Sequence, residues 1–278
     1  MVPRRIAVIG AGNMGAALLR GILASGWGRK ADLVASHPKK EKASVLAGEL
    51  NIPISGDNPA AARGARVVIL AVKPQILESV LLEIRSSLSE KQLLISIAAG
   101  FPTSRIESLV EMPIPVIRAM PNVAAIVRGS ATVLCAGRHA KAADLAAARK
   151  IFESIGLVVE LPEDQLDAVT GLSGTGPMYV FQIIEGLSDA GVRVGLSRDV
   201  AAALTVQTVL GAARMAQEMK THPAILKDLV TSPGGTAITA LHSLERNRLR
   251  AILMDAVEAA TARSKELGQL SAPLPPRA

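Results

Sequence analysis

Up to about residue 160 the chain alternates short apolar runs with stretches of helical periodicity. The runs are Ile6-Ala7-Val8-Ile9, Asp32-Leu33-Val34-Ala35, Arg66 to Val72, Leu93 to Ile97, Val116-Ile117-Arg118 and Ala131 to Leu134. They are continuous rather than alternating in polarity, as in strands buried on both faces of a parallel sheet. Helices are expected between them at 14–24, 39–48, 75–88 and 141–154. Strand and helix in alternation predict an α/β fold, a doubly wound sheet occupying 1–161. Beyond residue 161 the pattern is helical throughout, at 178–190, 198–219, 223–230, 236–245 and 248–267. Gly171–Pro177 reads as a loop, with Pro177 opening a helix. Val200, Leu204, Gln207, Thr208, Gly211 and Met215 share one face of the longest helix. Gly211 and the many alanines there point to close helix–helix contact. The expected domains are therefore 1–161 and a helical 162–269, with 270–278 as a loose, proline-rich tail.

Composition narrows the picture. Hydrophobic residues make up 49% and aromatics 2%, so the core is aliphatic and base-stacking platforms are scarce. The net charge is +7, but the positive residues are dispersed, and we expect no nucleic-acid partner. A single cysteine, Cys135, forbids an intrachain disulfide and suits a reducing, cytoplasmic setting. No His, Cys or carboxylate pair has metal-ligand spacing. The first five residues lead straight into a strand without a signal h-region. No apolar stretch is long enough to predict a membrane span.

Gly10-Ala11-Gly12-Asn13-Met14-Gly15 fits G-x-G-x-x-G directly after the strand ending at Ile9, and it opens a helix. That context makes it a dinucleotide grip. Gly10 permits the tight turn, Gly12 lets backbone approach a pyrophosphate, and Gly15 lets helix pack on strand. The phosphates would sit on free N–H groups at the helix N-terminus. After the second strand, an acidic residue would accept from a ribose 2′-hydroxyl. Here Ala35-Ser36-His37-Pro38-Lys39-Lys40 stands instead, with no carboxylate before Glu41. Ser36 and Lys39 are thus expected to meet a 2′-phosphate, favouring NADPH over NADH. Other strand-end loops should line the same crevice. These are Ala71-Val72-Lys73-Pro74, Ile97-Ala98-Ala99 and Met120-Pro121-Asn122, with Asn58 toward the adenosine side.

A second glycine-rich loop, Thr231-Ser232-Pro233-Gly234-Gly235-Thr236, opens the helix at 236. Its glycines, hydroxyls and free N–H groups suit an anion, and a carboxylate is a natural occupant.

Several stretches together resemble pyrroline-5-carboxylate reductases. They are Leu226 to Gly235 with Ala240 to Glu245, Asp167 to Pro177, Ala71-Val72-Lys73-Pro74, and Arg118-Ala119-Met120-Pro121-Asn122. The resemblance runs from Ile6 to about Leu267. It implies reduction of 1-pyrroline-5-carboxylate to L-proline with NADPH or NADH, the last step of proline synthesis. It implies a Rossmann-like N-terminal domain and a helical C-terminal domain that interleaves with a second subunit, in dimers that some members assemble into decamers. It places the substrate, a small cyclic imino acid, between the nicotinamide and the Ser-Pro-Gly-Gly loop, which a partner subunit can supply. By position, Val230, Ser232, Gly234, Gly235, Thr236 and Ala237 would surround the substrate, and Glu163 would approach it. One departure stands out. Many members carry a threonine where this chain has Ala237, so either Thr236, one position earlier, or water delivers the proton. Tyr179 is a further donor, although packing on its helix suits it better. Two alternatives stay open at this level. A β-hydroxyacid dehydrogenase would need a lysine in the first helices of the second domain, and none occurs from Val169 to Val192. A nucleotide sensor without turnover would carry the same loops.

Overall fold

The computed structural model describes residues 6–270. The first five residues and the 271–278 part of the expected tail lie outside it. Among the described residues one sheet holds eight strands. They are β1 (Ile6–Ile9), β2 (Leu33–Ser36), β3 (Ile54–Ser55), β4 (Val67–Leu70), β5 (Leu93–Ser96), β6 (Val116–Met120), β7 (Ser130–Ala136) and β8 (Gly156–Glu160). Their spatial order is β3-β2-β1-β4-β5-β6-β7-β8. Every neighbouring pair is parallel except β6 with β7, which is antiparallel. The sheet is therefore mixed, not wholly parallel as the apolar runs suggested.

Alternation along each strand explains why both faces need cover. Ile6 and Val8 of β1 join one buried cluster with Leu18, Leu19 and Ile22 of α1 (Asn13–Ala24) and Ile151 and Phe152 of α6 (Ala142–Glu153). Ala7 and Ile9 join the other, with Leu77, Leu81 and Ile84 of α4 (Pro74–Ile84) and Ile106 of α5 (Thr103–Val110). Each fully buried Leu or Ile contributes about 1.5–3 kcal/mol, so the two layers together hold the sheet rigid beneath the crevice. The helices α2 (Lys40–Leu50) and α3 (Asn58–Ala62) complete this part. The pattern reading missed β3, β8, α3 and α5. β3 has two residues, and β8 carries only the three-residue apolar run Leu157-Val158-Val159, of which Val158 alone is buried, so both fall below the length of a strand signal.

Gly171–Pro177 is not a loop. A short α7 (Leu166–Val169) runs into a π-helical turn, Thr170–Gly174, and α8 starts at Gly176. Side-chain hydroxyls support this turn: Thr170 Oγ1 donates to Leu166 O at 2.8 Å, and Ser173 Oγ to Val169 O at 3.1 Å. The Thr175 N–H spans five residues to Thr170 O at 2.9 Å. Leu166 and Val169 bury against Val133 and Cys135 of β7. The compact unit that contains the sheet runs to Thr175 and also takes in the described chain from Glu258 to Leu270.

The second compact unit is Gly176–Val257. It contains α8 (Gly176–Arg193), α9 (Arg198–Met219), α10 (Pro223–Asp228), α11 (Thr236–Arg246) and the first part of α12 (Leu249–Leu270). α8 and α9 pack as a hairpin. Gly191 allows the close approach, because a Cβ there would lie 2.9 Å from Ala201 Cβ. The Tyr179 hydroxyl donates to Ala256 O at 3.3 Å, a packing role. On α9 only Ala201 and Thr205 are buried. The expected contact face does not pack inside the chain: Val200, Leu204 and Met215 are exposed, as are Phe181, Leu210, Ile252 and Met254.

Candidate active site

β1 ends at Ile9, and the chain turns at once. Gly10 has φ +93°, and a Cβ there would lie 2.7 Å from Val72 Cγ1 and 2.8 Å from Ala71 O. The Gly10 and Ala11 N–H groups both donate to Ser36 O, at 3.1 and 2.7 Å, which pins the turn to the end of β2. Gly15 faces the turn from inside α1, where a Cβ would press on Gly10 O and come within 3.1 Å of Val8 Cγ1. Gly12, the N-cap of α1, differs: a Cβ there would meet nothing within 4 Å. The open volume thus lies over Gly12, at a helix end whose first N–H groups have no acceptor one turn back. A dinucleotide pyrophosphate fits that cradle.

Register brings the other loops alongside. Ile9 pairs with Leu70, Leu70 with Ser96, and Ser96 with Arg118, so the carboxyl ends of β1, β4 and β5 lie level, while β6 runs on to Met120. Ala71 N donates to Ile9 O at 2.8 Å, and Ile97 N to Leu70 O at 3.1 Å. Ala71 and Val72 therefore flank Gly10, where the strand order reverses between β2 and β4; Lys73 and Pro74 follow them, and Ile97, Ala98 and Ala99 follow β5 one strand further on, with Ala98 buried. That reversal is where ligands bind in such sheets. Lys73 is the exposed N-cap of α4.

The structure corrects the reading of Ser36. Its side chain is fully buried, and its hydroxyl donates to Asn58 Oδ1 at 2.6 Å. Asn58 Nδ2 in turn donates to Glu83 Oε2 of α4 at 2.8 Å. Ser36 braces the glycine turn, and its buried hydroxyl is committed to Asn58 rather than open to a 2′-phosphate. Lys39 is exposed at the N-cap of α2. Beside it a cleft of about 490 Å³ is lined by Gly12, Asn13, Arg20, His37, Lys42 and Glu49, among others.

Asn122 and Glu163 sit at the far side of the crevice, and both are engaged by the fold. Asn122 is buried; its Nδ2 donates to Ser173 O at 2.9 Å and its Oδ1 accepts from Ala124 N at 3.1 Å. It ties the end of β6 to the π-helical turn. Such turns occur often at functional sites; none of its tertiary contacts is visible in local sequence. Glu163 Oε1 accepts from Thr103 N at 2.8 Å and Arg118 Nη1 at 3.2 Å, and its Oε2 accepts from Thr103 Oγ1 at 2.6 Å. This carboxylate caps the N-terminus of α5 and pairs with a buried arginine, so three donors already hold it. Burial, reinforced by Glu163 and opposed by Arg118, pushes the neighbouring Cys135 thiol up to about 12. It is an inert core residue, not a nucleophile. Among the described residues no group of His, Cys and carboxylates can hold a metal ion, and no helix is long and apolar enough to cross a membrane.

In the helical unit, Thr231–Gly235 leads into α11. Gly234 has φ +66°, and Gly235 N donates to Ser232 O at 3.1 Å. That bond closes the turn and removes Gly235 N–H from the anion donors. The N–H groups of Thr236 and Ala237 and the hydroxyls of Ser232 and Thr236 remain, at a helix N-terminus without a side-chain cap. Val230, Ser232, Gly234 and Thr236 are exposed, Gly235 and Ala237 half-buried.

Residues 163–267 match the family described as pyrroline-5-carboxylate reductase dimerisation. Residues 5–100 match one described as NADP oxidoreductase, coenzyme F420-dependent. The chain is 45% identical to a pyrroline-5-carboxylate reductase of Methanosarcina acetivorans, over 97% of this chain and 100% of that one. It is 38% identical to a solved pyrroline-5-carboxylate reductase from Coxiella burnetii, with a TM-score of 0.89 over 95% of this chain and 98% of that one. A Plasmodium falciparum pyrroline carboxylate reductase solved with NADP bound superposes with a TM-score of 0.87 at 34% identity, over 96% and 99% of the two chains. The two glycine loops and this end-to-end similarity agree: the chain belongs to the pyrroline-5-carboxylate reductase family.

Proposed function

We propose that the protein reduces 1-pyrroline-5-carboxylate to L-proline with NADPH, accepting NADH as a second donor, in the last step of proline synthesis. The observation that carries this reading is the pairing of a dinucleotide cradle at Gly10–Gly15 with an open, uncapped helix end at Ser232–Ala237, in a chain 45% identical over its length to a reductase of that name. The cofactor supplies the hydride. The protein's own work is placement. A protonated cyclic imine is already electrophilic, so orientation of the C=N carbon dominates over acid catalysis. The Ser232 hydroxyl and the N–H groups of Thr236 and Ala237 hold the substrate carboxylate. The Thr236 hydroxyl keeps the proton on the ring nitrogen, since Ala237 has no group to do so. Lys73, Ile97, Ala98 and Ala99 wall the nicotinamide side.

In this reading 162–269 is the dimerisation and substrate domain and 1–161 the dinucleotide domain. α8, α9 and α12 leave large apolar side chains exposed, among them Phe181, Leu204, Leu210, Ile252 and Met254, as an association surface does. A second copy of the chain covers them in an interleaved homodimer, and dimers assemble further to a decamer. The loop at Ser232 then serves the partner's crevice. We place the enzyme in the cytoplasm. The test is oxidation of NADPH and NADH with pyrroline-5-carboxylate and its six-membered homologue, with light scattering for the assembly. Oxidation with neither imine rejects the function.

A further inference from the structure

In dinucleotide folds the ribose 2′ position is read just beyond the second strand. Ser36 ends that strand here, but it is buried and its hydroxyl is committed to Asn58. The next residue, His37, is half-buried and lines the cleft that also holds Gly12 and Asn13. Its main-chain N–H donates to Ser55 O at 2.8 Å. Its ring is fixed too: Lys39 N–H donates to Nδ1 at 3.0 Å, and Lys39 O lies 3.2 Å from the same atom.

This arrangement dictates the chemistry of the other ring nitrogen. Where Nδ1 of the neutral ring accepts from Lys39 N–H, the proton is on Nε2. In the imidazolium, Nδ1 donates to Lys39 O and Nε2 still carries a proton. In both of these states Nε2 offers an N–H, and no acceptor among the described residues takes it. The charges around the cleft suit an anion. Arg20 neutralises Glu49 through bonds of 2.7 and 2.8 Å. Lys42 lines the cleft and makes no ion pair among the described residues, while Glu41 remains as one opposing charge.

We propose that His37 discriminates NADPH from NADH by donating from Nε2 to the 2′-phosphate, with Lys42 adding positive charge. This rests on the dinucleotide reading of Gly10–Gly15 and puts His37 in the place expected for Ser36. Two variants test it. His37→Asn keeps an acceptor for Lys39 N–H and removes the distal donor. His37→Gln places an amide N–H near the Nε2 position. His37→Asn should raise KM for NADPH about tenfold, the loss of one charge-assisted hydrogen bond, with KM for NADH and kcat unchanged. His37→Gln should recover most of that loss. A parallel rise for both cofactors would mean that His37 only shapes the turn, and unchanged values would mean that it does not touch the phosphate; either overturns the proposal. Fluorescence titration of the unmodified enzyme with NADPH, without imine, separates the two layers. Failure to bind there overturns the dinucleotide reading itself.

Discussion

Gly12→Ala separates cofactor contact from folding. Gly12 has φ −75°, a value alanine adopts freely, and its Cβ would meet nothing within 4 Å. The substitution costs the fold at most the small difference between Gly and Ala at an N-cap, under about 1 kcal/mol. The methyl group instead occupies the space above the helix end where the pyrophosphate must come. Forcing an extra methyl into a filled contact costs about 1–3 kcal/mol, a roughly fivefold to 150-fold weakening of NADPH binding. Gly15→Ala is the contrast. Its Cβ would collide with Gly10 O, which belongs to a turn pinned by two bonds to Ser36 O, and with Val8. α1 cannot back away easily, because Leu18, Leu19 and Ile22 are fully buried. That variant should lose about 1–3 kcal/mol of stability as well as cofactor affinity. Urea denaturation and NADPH fluorescence titration give both quantities for each variant. A Gly12→Ala protein that binds NADPH normally, or one that loses stability as Gly15→Ala does, refutes the assignment of that space to the pyrophosphate.

Ser232→Ala should raise KM for the imine about tenfold, with KM for NADPH unchanged, if its hydroxyl holds the carboxylate; steady-state kinetics with each substrate varied decides this. Thr236→Ala should lower kcat more than it changes KM for the imine, and an unaltered kcat would hand the proton to water. Glu83→Ala should raise KM for both cofactors severalfold, because Glu83 fixes the amide of Asn58; in an Asn58→Ala background the same change should cost nothing further, and additive effects would show that the two act separately. Cys135 gives a pH prediction. Its thiol is neutral in both states below pH 9, but from the ordinary value of 9.0 up to about 12 the unfolded chain ionises while the folded one does not. Stability is therefore lost as pH rises through that window, and a Cys135→Ala variant should lose less of it in urea titrations at alkaline pH.

Local sequence determined a good deal of this protein. The four-residue run before Gly10, the spacing of the three glycines, and the missing carboxylate after Ala35 all act through bonds and sterics within a few residues. The cradle was legible for that reason, and so was the glycine loop before α11. The long helices were legible through periodicity, although periodicity does not say which partner a helix face meets. The face of α9 that includes Leu204 and Met215 is open within the chain. Tertiary structure decided the rest. The glycines and hydroxyls of 171–175 look like a loop, and they become a π-helical turn because Asn122 bonds Ser173 and Met120 packs where a Gly174 Cβ would go. Ser36 looked free to meet a phosphate until the pairing of β1 with β2 buried it and α3 brought Asn58 to its hydroxyl. Glu163 and Arg118 stand far apart in sequence, and only the fold joins them at the head of α5. A side chain's availability depends on which distant groups claim its hydrogen bonds, and those claims are settled when the sheet and helices pack.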